Sequence, residues 1–225
     1  ECSINKVWTS EALAWAVDQG VQVFGGNGYS REFPLERMYR DARITRIYEG
    51  TNEINRMLIP ARLLKQSADQ FSAPAVQRAL EGQSSGAGVH AVADRAKRVA
   101  VALLGKASAT YAADFKDAQE VQAQIADIVM EAYAVESGHA RAEKLTKRGD
   151  RRAAIATDIA HVCATDAADR VANASRAVCA ALSARGVDAA FTQTVERIAA
   201  PTAFDAVSAR RRIAAAVIEA GKYPL

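Results

Sequence analysis

Apolar side chains recur every three or four residues along most of this sequence, a spacing that places them on one face of an α-helix. Between about Ser3 and Gly20 the apolar positions are Ile4, Val7, Trp8, Ala12, Trp15 and Ala16. The two tryptophans lie seven residues apart on that face and are predicted to pack in the core. No stretch shows the strict alternation of a strand, so the pattern predicts an all-α fold.

Beyond residue 88 the chain is rich in alanine and keeps the helical spacing almost to its end. The pattern predicts helices at Val89–Ala109, Asp117–Arg148, Arg151–Ala184, Ala189–Ala199 and Phe204–Ala220. Turns are predicted at 148–150, Gly186 and Pro201. Because alanine side chains let helices approach one another closely, we expect these helices to form an antiparallel bundle.

The composition changes between residues 67 and 88, where serine, glycine and proline become frequent. Such residues favour turns and flexible connections, so we expect a linker with at most a short helical piece near Ala75–Glu81. The sequence therefore predicts three parts. They are a helical segment over residues 1–66, a linker over 67–88 and a second, Ala-rich helical bundle over 89–225.

Length and charge limit the classes of protein to which the chain can belong. A length of 225 residues allows one or two domains. With 29 basic and 26 acidic side chains the formal net charge is +3, too small to predict nucleic-acid binding or strong attraction to a membrane. No apolar run approaches the roughly 18 residues that a membrane-spanning helix needs.

The residue types that bind metals show no metal-site pattern. The three cysteines, at positions 2, 163 and 179, have neither disulfide nor ligand spacing, and those at 163 and 179 are expected to be small buried side chains. The three histidines, at positions 90, 139 and 161, share no metal-ligand spacing either. We therefore predict no metal site and a reducing, cytoplasmic location. The first residues read as the middle of a helix, so we expect the C-terminal part of a longer protein.

Residues 39–54 combine dense charge with aromatic and branched apolar side chains. Glu49 follows Ile47 and Tyr48 and precedes Gly50, so its carboxylate is expected to have apolar neighbours. Apolar surroundings disfavour the charged form of a carboxylate, which is the usual preparation for a general base. A surface glutamate just before a helix is the alternative interpretation.

Several residues mark helix boundaries around this stretch. Pro34 is predicted to begin a short helix. Thr51 is predicted to cap the next helix, and Asn52 and Glu53 suit its positive end. Pro60 lies inside that helical pattern and is expected to kink or interrupt it.

A short apolar run over residues 21–24 is followed by glycines at positions 25, 26 and 28. Glycines at this density allow positive φ angles or a close approach to a ligand. No Gly-Lys-Ser/Thr follows, which excludes a P-loop, and no strand–turn–helix pattern with Gly-x-Gly-x-x-Gly surrounds the run. On composition alone, a turn between helices is the favoured interpretation.

Two motifs occur together in the stretch VQVFGGNGYSREFPLERMYRDARITRIYEGTNEINR. The first is Gln-x-x-Gly-Gly-x-Gly, and the second is Arg-Asp-Ala, five residues, then Tyr-Glu-Gly-Thr. In this order and spacing they closely resemble the C-terminal signature of the acyl-CoA dehydrogenase family, from Val21 to about Leu64. The preceding helix, with Ser10 and Glu11 ahead of Trp15, is also similar to the family.

The resemblance implies roles for individual residues. Glu49 matches the base that removes the α-proton of an acyl-CoA thioester while a hydride leaves the β-carbon for FAD. The backbone N–H of Glu49 would also polarise the thioester carbonyl. The positions that match substrate-lining residues are Tyr48 and Gly50. Those that match the FAD-contacting helix start are Thr51, Asn52 and Glu53. Those that match contacts with the adenosine part of FAD on a neighbouring subunit are Gln22, Val23, Phe24, Gly25 and Gly26.

The resemblance also implies partners. These are an acyl-CoA substrate, an electron-transfer flavoprotein as electron acceptor, and a homodimer or homotetramer that shares FAD across its interface. The family's N-terminal helical domain and middle β domain are absent from this sequence, so we expect the chain to be inactive alone. The helical extension is similar to that of the very-long-chain branch, which implies long acyl substrates, dimers and membrane association.

Alternatives to this interpretation remain open. A family paralogue could use the same scaffold on another acyl-CoA or on a nitroalkane. The extension could instead be a helical interaction or membrane-docking module. Basic clusters at residues 144–152 and 210–212 fit either solvated helix faces or contacts with anionic lipid or acyl-CoA phosphate.

Overall fold

The computed structural model of the chain describes residues 1–83, 88–201, 204–223 and 225. Regular structure throughout these residues is α-helical or 3₁₀-helical, and the described ranges contain no strand. The predicted all-α fold is confirmed. The described chain divides into two compact units, Glu1–Leu63 and Leu64–Leu225.

The first unit is built from helices that enclose only a small core. Its helices are α1 (Cys2–Phe24), α2 (Gly26–Tyr29), α3 (Pro34–Ile44) and α4 (Asn52–Gln66), the last of which ends just inside the second unit. Pro34 occupies the first turn of α3, as predicted. Helix α4 continues through Pro60, which is buried, so the helix is not broken there, and a kink at Pro60 stays a prediction.

The two tryptophans of α1 do not form the core that the sequence predicts. Trp8 is 37% exposed and Trp15 is 68% exposed, whereas Val7 and Ser10 are the buried residues of this helix. Helix α1 packs on α2 and α3. The inward face therefore comprises small and medium-sized side chains, and the largest apolar side chains lie outside the area that this unit can cover.

The second unit contains long helices joined by short turns. After a 3₁₀ turn at Ala68–Phe71, its helices are α5 (Ala73–Glu81), α6 (Val89–Tyr111), α7 (Gln119–Lys147), α8 (Ala153–Ser183), α9 (Ala189–Ala199) and α10 (Ala206–Ala220). A further 3₁₀ turn, Ala112–Asp117, separates α6 from α7. The predicted helices of this part are all present, with ends that differ by no more than three residues.

The core of the second unit lies among α6, α7 and α8, which pack most extensively on one another. Fully buried side chains include Leu103, Leu104, Ile125, Ile128, Val178 and Leu182. Each such side chain contributes about 1.5–3 kcal/mol through removal of apolar surface from water. Buried alanines recur along α8 and let it lie close to its neighbours, in agreement with the predicted Ala-rich bundle.

The segment predicted as a linker is largely helical and packed. Ala75 and Ala79 of α5 are buried, and α5 packs on α6. A Cβ on Gly105 of α6 would lie 2.5 Å from the carbonyl oxygen of Phe71, so the chain approaches α6 as closely as its backbone allows. Residues 84–87 of the predicted linker lie outside the described residues, and the domain limits at 66 and 89 stay a prediction.

An ion pair and two helix caps stabilise the outer helices of the second unit. Arg212 of α10 forms a two-point ion pair with Asp158 of α8 at 2.8 and 2.6 Å. Asp188 accepts from Ala190 N–H at 2.9 Å and caps α9, and Asp205 accepts from Ser208 N–H at 3.0 Å and caps α10. The Asp188 cap explains why α9 begins where the sequence pattern places it, and the Asp205 cap places the start of α10 at Ala206, two residues after the predicted Phe204.

Candidate functional site

The predicted base Glu49 lies in the tight turn between α3 and α4. Its φ is +58°, and that of the next residue, Gly50, is +77°. Only a few per cent of residues other than glycine adopt positive φ, and they do so where the surrounding structure compensates the strain. The conformation of Glu49 therefore requires contacts that hold the turn.

The side chain of Asn55 supplies the first of these contacts. Its Nδ2 donates to the carbonyl oxygen of Gly50 at 2.8 Å and also approaches the carbonyls of Thr51 at 3.2 Å and Glu49 at 3.4 Å. Lys6 Nζ donates to the same Gly50 oxygen at 2.8 Å. One carbonyl thus receives a neutral and a charged donor, which restrains the turn from two sides.

Asn52, at the start of α4, links this turn to α1. Its side chain is 2% exposed and accepts from Lys6 Nζ at 2.6 Å. Its Nδ2 donates to Ser10 Oγ at 3.0 Å and to Glu11 Oε1 at 3.1 Å. A buried amide with both ends satisfied favours one arrangement of the two helices, because any shift leaves a buried polar atom unpaired.

Glu11 and Arg56 form an ion pair between α1 and α4. Arg56 Nη1 and Nη2 lie 2.6 and 2.8 Å from the two carboxylate oxygens of Glu11. Burial opposes ionisation of Glu11, but the hydrogen bond and charge of Arg56 outweigh it, with help from Asn52 and the charge of Arg46. The pKa of Glu11 is consequently below its usual value.

The start of α4 follows the predicted pattern. Thr51 Oγ1 accepts from Ile54 N–H at 3.2 Å, which caps the helix. A hydrogen bond from its own backbone N–H, followed by one from the Thr51 hydroxyl, lowers the pKa of Glu53. This helix start favours negative charge, as the sequence pattern predicts.

The apolar surroundings expected for Glu49 are not provided by the described residues. Glu49 is exposed, and Ile47 and Tyr48 are 48% and 50% exposed. These three side chains therefore do not belong to the small core of the first unit. The backbone N–H groups of Glu49 and Gly50 donate to no acceptor among the described residues, so both are available to an oxygen of a bound molecule.

The glycine motif forms a tight turn at the far end of α1. Gln22, Val23 and Phe24 belong to the last turn of α1, which runs further than the sequence pattern predicts. Gly25 has a φ of +58° and Gly26 begins α2, and a Cβ on either residue would meet nothing within 4 Å. The backbone of the glycine motif forms the turn between helices that composition predicts. The surface around Gly25 and Gly26 is open.

Gly28 has a different role from the other two glycines of the motif. A Cβ at this position would lie 2.7 Å from the carbonyl oxygen of Val21. Gly28 is therefore required for close packing of α2 on α1. Val23, in the last turn of α1, is instead 84% exposed. The motif thus combines one packing glycine with an outward-facing segment.

The two predicted parts of the site lie at opposite ends of α1. The turn of Glu49 is held by Lys6, Ser10 and Glu11, and the glycine motif begins at Gln22. With a rise of 1.5 Å per residue, the helix separates Lys6 from Gln22 by about 24 Å. The chain does not bring its two predicted ligand-contacting segments into one pocket.

A cleft of about 650 Å³ in the first unit lies beside α3 and contains none of the predicted site residues. Its charged lining is Asp18, Arg31, Glu36, Arg40 and Arg43. Arg40 pairs with Glu36 at 2.7 Å. The predicted site is therefore an exposed turn and a helix end, not a closed cavity of this chain.

Within the described ranges, no group of three or more His, Cys, Asp or Glu side chains is arranged to hold a metal ion. Cys179 is buried, and burial raises the pKa of its thiol to about 11. Cys163 is half-buried and its pKa is raised for the same reason, whereas Cys2 is exposed.

Among the helices that the structure describes, none is long and apolar enough to cross a membrane.

Sequence reasoning missed the residues that support the turn. Asn55 and Arg56 lie within the recognisable motif, but their partners on α1 depend on tertiary structure. The available signal was spacing: Lys6 and Ser10 share a helix face, as do Asn52 and Arg56, because four residues make about one helical turn. Polar residues that share one face of α1, together with polar residues that share one face of α4, indicate a buried hydrogen-bond network between the two helices.

Two family models match this chain, over residues 1–64 and 95–192, and both are described as the C-terminal domain of acyl-CoA dehydrogenase. A probable acyl-CoA dehydrogenase of Bacillus subtilis (strain 168) is 32% identical over 99% of the chain. The short-chain specific mitochondrial acyl-CoA dehydrogenase of Bos taurus is 51% identical over 29% of the chain and 16% of its own length.

The crystal structure of acyl-CoA dehydrogenase complexed with FAD from Bacillus anthracis has a TM-score of 0.88 and 29% sequence identity over 100% of the chain. Helix order, both motifs and these matches agree: the chain belongs to the acyl-CoA dehydrogenase family and corresponds to its C-terminal domains. It spans 40% of the length of the Bacillus subtilis relative and 40% of the Bacillus anthracis chain.

Proposed function

We propose that this chain provides the base and part of the flavin-binding surface of an FAD-dependent acyl-CoA dehydrogenase. The observation that carries the proposal is the turn of Glu49. A glutamate with positive φ is held there by hydrogen bonds from Asn55 and Lys6 to the carbonyl oxygen of Gly50. Strain that is compensated in this way is typical of functional sites.

In this proposal the Glu49 carboxylate removes the α-proton of the acyl-CoA thioester. Its exposure in this chain leaves it accessible, and contact with an acyl chain and with Tyr48 would remove water from it and raise its basicity. The N–H of Glu49 would donate to the thioester carbonyl, where negative charge develops as the proton leaves. Gly50 would line the same acyl-CoA.

The accessible residues of the proposed FAD-contacting segment are Thr51 and Glu53, at the positive end of α4. Asn52 is buried and its side chain is bonded to Lys6, Ser10 and Glu11, so it would hold this helix start in place for FAD. FAD bound there would accept the hydride that leaves the β-carbon of the substrate. The role of this chain is to orient the turn and to hold the base in place.

The separation along α1 supports a shared flavin site in an oligomer. Gln22, Val23, Phe24, Gly25 and Gly26 form an open surface that begins about 24 Å along α1 from Lys6, one of the residues that hold the Glu49 turn. We propose that this surface contacts the adenosine part of FAD bound to a second subunit, in a homodimer or homotetramer. An electron-transfer flavoprotein would then reoxidise the enzyme.

The sequence resembles the very-long-chain branch of the family in its helical extension, and on this resemblance we propose a long acyl-CoA as substrate. Conversion of another acyl-CoA remains the alternative within the enzyme class. We also propose that the chain acts as part of a longer polypeptide, because it spans 40% of the length of its Bacillus subtilis relative.

Membrane docking by the extension is a second candidate function. On α10, Val207 and Ile218 are 60% and 80% exposed, close to the exposed Arg211. An apolar side chain beside a basic one is typical of helices that lie on an anionic membrane surface. Sedimentation with phosphatidylglycerol vesicles at low salt tests this candidate, and failure to cosediment would remove it.

Substitution of Glu49 by Gln in the full-length enzyme tests the primary proposal. The amide keeps the size of the side chain but has no basic oxygen to take up a proton. We expect FAD to be retained and turnover of acyl-CoA to be lost. Retained turnover would contradict the assignment of Glu49, and loss of FAD would show a structural role instead.

A further inference from the structure

A second cleft lies in the second unit, bounded by α5, α6 and α9, and has a volume of about 820 Å³. Its lining residues lie between Gln77 and Ile198, so it contains no residue of the Glu49 turn or of the glycine motif. Its size falls within the usual range for small-molecule sites, about 300–1,000 Å³. Nothing in the proposed dehydrogenation uses it.

Basic side chains dominate the charged lining of this cleft. They are Arg95, Arg98, Lys106 and Arg197, against the two carboxylates of Glu81 and Asp188. Arg95, Arg98 and Lys106 are half-buried, whereas Arg197, Glu81 and Asp188 are exposed. Three of the four cations therefore lie deeper than the two carboxylates, which favours an anionic ligand.

The two carboxylates are engaged in local hydrogen bonds. Glu81 accepts from the Gln77 side chain one helical turn away, and Asp188 accepts from Ala190 N–H as the cap of α9. Lys106 and Arg197 have no carboxylate partner within the described part of the chain. Two cations of the cleft are thus available to an external anion.

Two of the three arginines of the cleft, Arg95 and Arg98, lie near enough for their charges to interact. Arg98 Nε donates to the Ala79 carbonyl at the end of α5, at 2.9 Å, which fixes its guanidinium. Burial and then the positive charge of Arg98 lower the pKa of Arg95. An anion placed between them would relieve this repulsion, because a negative charge stabilises both guanidinium groups.

Apolar side chains complete the lining. Leu80 and Ile198 contribute aliphatic surface, and Phe191 contributes an aromatic ring, above which Lys106 Nζ lies 5.4 Å from the ring centroid. Sites for small molecules combine such apolar walls with a few charged groups. The combination suits a molecule that carries phosphate at one end and a flat ring at the other.

We propose that this cleft binds a phosphate ester of nucleoside diphosphate size, with its phosphates at Arg95, Lys106 and Arg197 and its base against Phe191. The proposal concerns the second unit alone and is independent of the chemistry at Glu49. Such a ligand would be held by charge and by ring contact together, so neither part alone should bind as tightly.

Isothermal titration calorimetry of the full chain with ADP, inorganic pyrophosphate and adenosine tests this proposal. We expect saturable binding of one ADP per chain, with pyrophosphate and adenosine each at least tenfold weaker. We also expect ADP binding to weaken as salt rises, because the contacts are charged. Absence of saturable ADP binding, or pyrophosphate affinity equal to that of ADP, would overturn the proposal.

Variants locate the bound ADP. Combined Lys106→Ala and Arg197→Ala substitutions should weaken ADP binding at least tenfold. Arg211→Ala removes an exposed cation of α10 outside the cleft and should leave ADP binding unchanged. Gln22→Ala separates this cleft from the proposed flavin surface and should also leave ADP binding unchanged. Loss in Gln22→Ala with retention in the double variant would overturn the cleft assignment and support the flavin surface.

Discussion

The side-chain amide of Asn55 donates to the carbonyl oxygen of Gly50 at 2.8 Å and thereby ties the turn of Glu49 to the first turn of α4. Lys6 reaches the same oxygen from α1 at 2.8 Å. A glutamate at φ +58° is costly on its own, by about 1–3 kcal/mol for a sparsely populated backbone region. The two donors hold this conformation and so set the position of the proposed base.

Replacement of Asn55 by Asp tests whether this amide positions the base. The carboxylate keeps the shape of the side chain but cannot donate, and it repels the carbonyl of Gly50. We expect kcat of the full-length enzyme to fall about tenfold or more with KM little changed, and stability to fall by about 1–3 kcal/mol. Asn5→Asp, at an exposed position of α1, is the control. An unchanged kcat would show that Asn55 does not position Glu49.

Replacement of Gln22 by Ala tests the proposed flavin surface. Loss of one hydrogen bond to a charged or polar ligand group costs about 1.5 kcal/mol, so FAD should bind roughly tenfold more weakly. Flavin release on dilution, followed by fluorescence, measures this change. Gln19→Ala, one turn earlier on α1 and also exposed, should release FAD at the original rate. Equal FAD retention in both variants would refute the surface.

Alanine substitutions at two glycines of the second unit should change the free energy of unfolding in opposite directions. Gly105→Ala places a Cβ 2.5 Å from the backbone oxygen of Phe71, and we expect a loss of about 1–3 kcal/mol from the strain. Gly138→Ala on α7 meets nothing within 4 Å and should gain about 0.5–1 kcal/mol from helix propensity. Urea unfolding of both variants measures the effects. Effects of the same sign would contradict the packing of the segment before α5 on α6.

The lowered pKa of Glu11 predicts how its ion pair with Arg56 depends on pH. The stabilising contribution is complete above the usual pKa of 4.5 and is lost as pH falls through the lower pKa of the folded state. Urea unfolding of the original chain and of Glu11→Gln, from pH 7 to pH 3, measures it. The difference in the free energy of unfolding between the two proteins should be constant near pH 7 and shrink below about pH 4.5. A difference that does not change with pH would contradict the ion-pair geometry.

Helix positions were readily predicted from the sequence, and the reasons are local. The spacing of apolar residues sets the helices of the second unit, and Asp188 and Asp205 cap two of them directly. Turn residues such as Gly149 and Gly186, both at positive φ, mark the ends of long helices. These signals act over a few residues and need no knowledge of tertiary contacts.

The support of the site was not predictable in the same way. Lys6 and Asn52 are 46 residues apart in the chain, and nothing local indicates that they share a hydrogen bond. The exposure of Trp15 was likewise not predictable, because apolar periodicity shows which face is apolar but not what covers it. The packed segment before α5 depends on Gly105, more than 30 residues later.

The most direct test of the central claim is single-turnover flavin reduction in the full-length enzyme with Glu49→Gln. Removal of a general base typically slows a reaction by about 10²–10⁴-fold. We therefore expect flavin reduction by acyl-CoA to slow by that factor at saturating substrate, with FAD content unchanged. Glu32→Gln, an exposed glutamate of the same unit, should reduce its flavin at the original rate. Equally fast flavin reduction in both variants would contradict the role of Glu49 as the base.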